Sequence, residues 1–192
     1  MKKLIGITLA SFLVLSACGN EQKKENGSKT ESINENKVQF KDDTLVIEDA
    51  VLTIKDIFIV NDKSDNTQNI AFKYEVKNKS GKAEVTALNV WFATMKLEQE
   101  SEDTINKLEV GFTPVTGNLG KWNEHSNDKI KKGKSAKGIM TYKLQNKNKV
   151  ILIASKGLVG EELGKKEIDI SKLKSMDYSV VEDMKKELDT NE

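Results

Sequence analysis

Ile70-Ala71-Phe72-Lys73-Tyr74-Glu75-Val76-Lys77 decides the fold. Apolar Ile70, Phe72, Tyr74 and Val76 alternate with Ala71, Lys73, Glu75 and Lys77. A period of two belongs to a β-strand with one buried face. The run ends in Asn78-Lys79-Ser80-Gly81, a turn composition. Upstream, Ala50 to Val60 carries Leu52, Ile54, Phe58 and Val60 on one alternating face, with Asp56 in the same register. A bulge near Lys55-Asp56, or an edge position, accommodates that carboxylate. Thr44 to Glu48 is a shorter strand, and Asn61 to Asn69 is a polar connection.

Downstream, Val85 to Leu97 is rich in Leu, Val and aromatic residues and reads as a strand, with Trp91 in the core. Leu108–Phe112, Gly138–Leu144, Val150–Ala154 and Glu167–Ile170 follow as strands, Val150–Ala154 apolar enough to be central. Thr113 to Asp128 reads as a long irregular loop holding Trp122 and His125. Strands at regular spacing joined by polar turns predict an all-β chain, an antiparallel β-sandwich spanning residues 38–173. Residues 174–192 form a tail. Within it, Ser179-Val180-Val181-Glu182 has capping-box spacing, and Val181, Met184, Lys185 and Leu188 fall on one side at helical spacing, which predicts a short C-terminal helix.

The N-terminus is different in kind. Lys2 and Lys3 precede an apolar run from Leu4 to Ala17, and Leu15-Ser16-Ala17-Cys18 closes it. This is a secretory signal, residues 1–17, shorter than the ~20 residues of a spanning helix. Cys18 is the only cysteine, so no intramolecular disulfide is available outside the cell. Leu-Ser-Ala-Cys resembles a bacterial lipobox, which implies a diacylglycerol thioether on Cys18 as the membrane-lipid partner. Two acyl chains suffice for stable anchoring, where one does not. Residues 18–37 are almost wholly polar and cannot offset their ordering entropy, so they read as a tether.

The chain has 31 Lys+Arg, all of them Lys, against 30 Asp+Glu. Loss of Lys2 and Lys3 with the signal leaves a nearly neutral protein. That balance, without a single Arg fork for phosphate, argues against nucleic acid as a partner.

Tyr74-Glu75-Val76-Lys77-Asn78-Lys79-Ser80 resembles a strand ending in N-K-S/G. Ile130-Lys131-Lys132-Gly133-Lys134-Ser135-Ala136-Lys137-Gly138 resembles L-x-P-G-x-S-x-x-G ahead of another strand, with Lys132 in place of the usual Pro. With the lipobox and tether, these motifs resemble the immunoglobulin-like lipoprotein domains of unknown function family 5067 and its relative, family 4352. The resemblance spans roughly residues 38 to 173. It implies an immunoglobulin-like β-sandwich on the surface of Gram-positive cells, with no catalytic residue.

No cofactor or metal motif is complete. Gly133-Lys134-Ser135 ends like a P-loop, but Asp128 stands where the first Gly is needed. Asp62, Ser64, Asp65 and Asn66 could attract Ca²⁺, but Thr67 and Lys73 occupy the positions of the loop's central Gly and distal Glu. His125 is the only histidine and has no Gly-x-Ser-x-Gly elbow to serve. The candidate binding residues are therefore Trp122 and His125. The expected function is a non-catalytic binding or accessory module, meeting an envelope protein, peptide or polymer. The rivals are an envelope enzyme using His125 with a carboxylate, and a transporter-associated solute-binding lipoprotein.

Overall fold

In a computed structural model of the chain, residues 33–82 and 84–189 are described. In chain order the elements are β1 (Gln39–Lys41), β2 (Thr44–Val46), β3 (Ala50–Asp62), β4 (Thr67–Asn78), α1 (Ala87–Thr94), β5 (Met95–Glu100) and β6 (Ile105–Lys107). They continue with α2 (Gly117–Asn123), β7 (Ser135–Lys143), β8 (Val150–Ser155), β9 (Glu162–Ile168), β10 (Ser175–Tyr178) and α3 (Val180–Asp189). Cys18, the signal 1–17 and residues 18–32 of the expected tether lie outside the described residues. Residues 33–37 lie within them. There Glu35 takes the Lys77 ammonium at 2.8 Å and its carbonyl takes that of Lys79 at 2.6 Å.

Two antiparallel sheets form the expected β-sandwich. One runs β1-β2-β3-β4-β7, and the other β6-β5-β8-β9. Leu52, Phe72 and Tyr74 of the first sheet and Leu97 and Leu152 of the second share one core with Trp91. The strand read first is the pivot. β4 pairs with β3 on one side and β7 on the other, and Ile70, Phe72, Tyr74 and Val76 are fully buried. The bulge expected at Lys55-Asp56 is present, as a register shift between Ile54 and Asp56. It lets Phe58 and Val60 turn to the outer face of the sheet and pack with Ala71 and Ile139 in a second core.

Several elements differ from expectation. Leu108–Phe112 is not a strand: it makes only an isolated bridge, Val110 to Tyr142 on β7. Val85–Leu97 is a helix running straight into a strand. Thr86 caps α1 with its hydroxyl on the Asn89 N–H, and Ala87, Val90, Trp91 and Thr94 are buried at helical spacing. Trp91 is thus a core residue, but on a helix. Its indole N–H donates to the Tyr142 hydroxyl at 2.9 Å, and its ring lies 4.5 Å from that of Tyr74. The stretch Thr113–Asp128 is not a loop throughout, since it contains α2. Beyond residue 173, β10 adds to the first sheet parallel to β3, beside its second half, while β2 pairs with the first half. The C-terminal helix forms as expected, with Ser179 Oγ accepting the Glu182 N–H at 3.3 Å.

Phe72→Ala should cost about 3–5 kcal/mol, the range for truncating a buried aromatic. Exposed Lys96→Ala should stay within about 0.5 kcal/mol. Urea midpoints check the pair. Equal midpoints would mean that Phe72 does not face the core.

Candidate functional site

The outer face of the first sheet needs a cover because the second core lies on it. α2 supplies it through Leu119 and Trp122, with Phe112 and Val180 beside them. Tyr178 stacks on Phe112, with centroids 4.8 Å apart, and its hydroxyl accepts the N–H groups of Val115 and Thr116. Gly117 begins α2 at φ 59°, and a Cβ there would meet the Asp183 carboxylate at 2.5 Å. These contacts seat α2 against α3 and aim Trp122 back at the sheet.

Trp122 is half-buried. Its indole N–H donates to the Gly138 carbonyl at 3.0 Å, and Asn123 Oδ1 accepts the Ile139 N–H at 3.0 Å. Gly138 is required, because a Cβ there would come within 2.5 Å of the Tyr74 hydroxyl. The ring of Trp122 holds two cations: Lys137 Nζ lies 4.6 Å and Lys73 Nζ 5.1 Å from its centroid. An ammonium over an indole is attracted by the ring quadrupole, by ~0.5–1 kcal/mol at exposed sites. Trp122 thus both covers the second core and positions charge.

Beside it runs an open groove of about 520 Å³, bounded by α2, the 128–134 loop and the start of β7. Lys121, Lys129, Lys131, Lys134 and Lys137 line it with Trp122 and His125. A cleft of about 550 Å³ beside α2 is walled by Val115, Thr116, Gly117, Gly120, Lys121 and Glu124. Five lysines line the groove, against one in the cleft.

The groove's rim is built by the two turn motifs, which dock on one another. Buried Asn78 donates its side-chain amide to the carbonyls of Ile130 and Lys82, at 2.7 and 3.1 Å, and accepts the Gly81 N–H at 2.8 Å. Its backbone takes the Gly133 N–H at 2.7 Å and gives its own N–H to the Lys134 carbonyl at 3.0 Å.

His125 lies on the same wall. Its Nδ1 is 2.7 Å from Asp128 Oδ2, with side-chain exposures of 70% and 68%. The hydrogen bond to Asp128 raises the imidazole above its ordinary pKa, helped by the Glu124 charge. The pair is bathed in water, and among the described residues no hydroxyl or thiol bonds to the imidazole. Sequence reading picked out Trp122 and His125. It missed Asn78, Asp128 and the lysines, whose clustering vanishes in a balanced total charge.

The domain of unknown function DUF5067 matches residues 23–156. The chain belongs to this family. A structure of a candidate lipoprotein from Staphylococcus aureus is similar at 30% identity and a TM-score of 0.69, over 74% of this chain and 99% of that one. An NMR structure of a protein from Enterococcus faecalis shares the fold at 17% identity and a TM-score of 0.55, over 73% of this chain and 99% of that one. No curated protein matches the sequence significantly. Among the described residues, no helix is long and apolar enough to cross a membrane.

Two outcomes are expected. Asn78→Ala should destabilise by about 1–3 kcal/mol, because two carbonyls lose their donor in a buried site. Asn78→Asp should not rescue it, since a carboxylate cannot donate to them. Thermal unfolding decides both. His125, as the only histidine, gives one imidazole resonance by NMR. It should titrate above 6.5, and Asp128→Asn should bring it down toward that value. The raised pKa means that the pair favours the folded state below the unfolded-state pKa, and that this is lost as pH rises through the folded-state value.

Proposed function

We propose that the protein is a membrane-tethered, non-catalytic binding module of the cell envelope. In this reading Cys18 carries diacylglycerol at the extracellular face, residues 19–32 give the domain reach, and the groove beside Trp122 is its recognition surface. The observation that carries the reading is the groove itself. It is open, walled by five lysines and a half-buried indole, and its rim is fixed by a buried amide. Loops at one end of a sandwich are a common seat of recognition. The anchor is supported by Leu15-Ser16-Ala17-Cys18 and by the description of the S. aureus relative as a candidate lipoprotein.

The His125–Asp128 pair is what an enzyme reading would use. A base so exposed has its charge interactions screened, and it has no nucleophile in hydrogen-bond reach among the described residues. The solute-binding reading calls for two α/β lobes closing on a ligand, whereas this chain buries one core between two β-sheets.

Mass spectrometry of the native protein should find a mature N-terminus at Cys18 bearing lipid, and Cys18→Ala should move the protein from the membrane fraction to the medium. An unlipidated wild-type chain in the medium would sink the anchor. The wild-type chain should capture envelope material from its source organism. Trp122→Ala should weaken that capture while the domain still melts cooperatively.

A further inference from the structure

From the groove's charge pattern we infer that its ligand is a linear polyanion, held along the row of lysines; this rests on the groove being the recognition surface. Lysines elsewhere on the domain are of two kinds: Lys96, Lys107, Lys143 and Lys147 hold no carboxylate among the described residues, while many others do. What marks the groove is that five without one line a single surface. Lys55, Lys63, Lys82, Lys149, Lys156 and Lys174 each hold a carboxylate within 3.3 Å. None of the five groove lysines does so among the described residues, nor does Lys73 behind Trp122. The wall's one carboxylate, Asp128, is already engaged by His125. A chain with balanced charge has carboxylates enough to neutralise this face. Instead the face concentrates like charge, which repels itself unless an anion enters.

The type of anion follows from the donors. Apart from the His125–Asp128 pair, every charge here is an ammonium on a flexible, exposed stem, and the chain has no Arg to make a bidentate fork. No buried donor converges on one point of the groove, so there is no cradle for a single small anion. Affinity has to come from several weak contacts made at once along a chain. The lysines suit this, because they come from α2 (Lys121), the loop (Lys129, Lys131, Lys134) and β7 (Lys137), and so are spread along the groove. Trp122 has its ring under the ammonium groups of Lys73 and Lys137. It is therefore a charge holder and not a free stacking platform, which favours a polymer read by charge over one read by aromatic stacking. A concave groove also suits a chain better than the flat surface of anionic headgroups.

The test uses the full chain reconstituted in neutral phosphatidylcholine nanodiscs, with labelled inorganic polyphosphate and labelled poly-glutamate as probes. At least one polymer should bind, and the stronger of the two tells phosphate from carboxylate. Monomeric phosphate at the same charge concentration should not compete. With about four lysines engaged, log affinity should fall against log salt with a slope of about −3. Changing Lys129, Lys131, Lys134 and Lys137 to Gln should weaken binding at least tenfold with an unchanged melting temperature. The single change Lys137→Gln, should the fourfold variant misfold, should weaken it by a smaller factor. Direct binding to phosphatidylglycerol vesicles where neither polymer binds, or polymer binding indifferent to these substitutions, would overturn the inference. If neither polymer binds but envelope capture persists and still depends on Trp122, the ligand class is wrong and the binding-module reading stands. If capture fails as well, that reading falls with it.

Discussion

β4 is covered on both faces, and this constraint organises the rest of the molecule. Its even-numbered residues Ile70, Phe72, Tyr74 and Val76 enter the core between the sheets, while Ala71 faces a second cluster with Phe58, Val60 and Ile139. A one-residue slip would exchange these faces, sending Phe72 and Tyr74 outward. The register is pinned by the bulge at Lys55-Asp56, by the aromatic contacts of Phe72 and Tyr74 with Trp91, and by Gly138, whose missing Cβ lets β7 pass over Tyr74. Strand pairing and core packing thus specify the same arrangement, which is what gives a sequence a single fold.

A sheet apolar on its outer face as well cannot be left to water. α2 closes it through Leu119 and Trp122, and the candidate site is a by-product of that closure. Trp122 is where the two roles meet. One edge of the indole bonds the sheet at Gly138, and its ring carries the ammonium groups of Lys73 and Lys137. Lys73 is instructive: it lies on the cluster's face of β4, with its ammonium 5.5 Å from the Phe58 ring and 5.1 Å from that of Trp122. A lysine stem can lie along apolar surface while its head finds an aromatic face. A polar residue in the strand pattern is therefore not always a solvent residue.

What could be read locally was read. β4, the bulge and the Ser179 cap each rest on periodicity or on residues within a few positions of one another. α1 was misread because Val85–Leu97 is apolar at both spacings, and a short apolar run does not by itself separate strand from helix. The missed signal was Thr86 as an N-cap, with Ala87, Val90, Trp91 and Thr94 one turn apart. α2 has two glycines in seven residues and no propensity to announce it; its partners Tyr178 and Asp183 lie some sixty residues away. The parallel pairing of β10 with β3 is likewise a long-range event. The site hides for the same reason. Asn78 looks like turn composition, yet its amide binds a carbonyl fifty-two residues on. Gln99 does the same for the 145–148 turn, taking the Gln145 N–H and donating to Asn146 and Asn148.

The rim turn shows how scaffold and site trade against each other. Lys134 N–H bonds the Lys131 carbonyl at 2.9 Å, and Gly133 sits at φ 71°, the geometry of a type II turn with Gly at its third position. Pro is favoured at the second position, where its fixed φ preorganises the turn, and the motif this sequence resembles has Pro there. Here that position is Lys132, with no hydrogen bond from its N–H. Giving up Pro forgoes about 0.4–1 kcal/mol of unfolded-state entropy. The turn tolerates the loss because Asn78 fixes it from below through Ile130, Gly133 and Lys134. In exchange the rim carries one more exposed ammonium, between Lys131 and Lys134. A turn held by tertiary hydrogen bonds instead of by proline leaves its second position free of the proline constraint, and here that position's side-chain stem packs over Gly81.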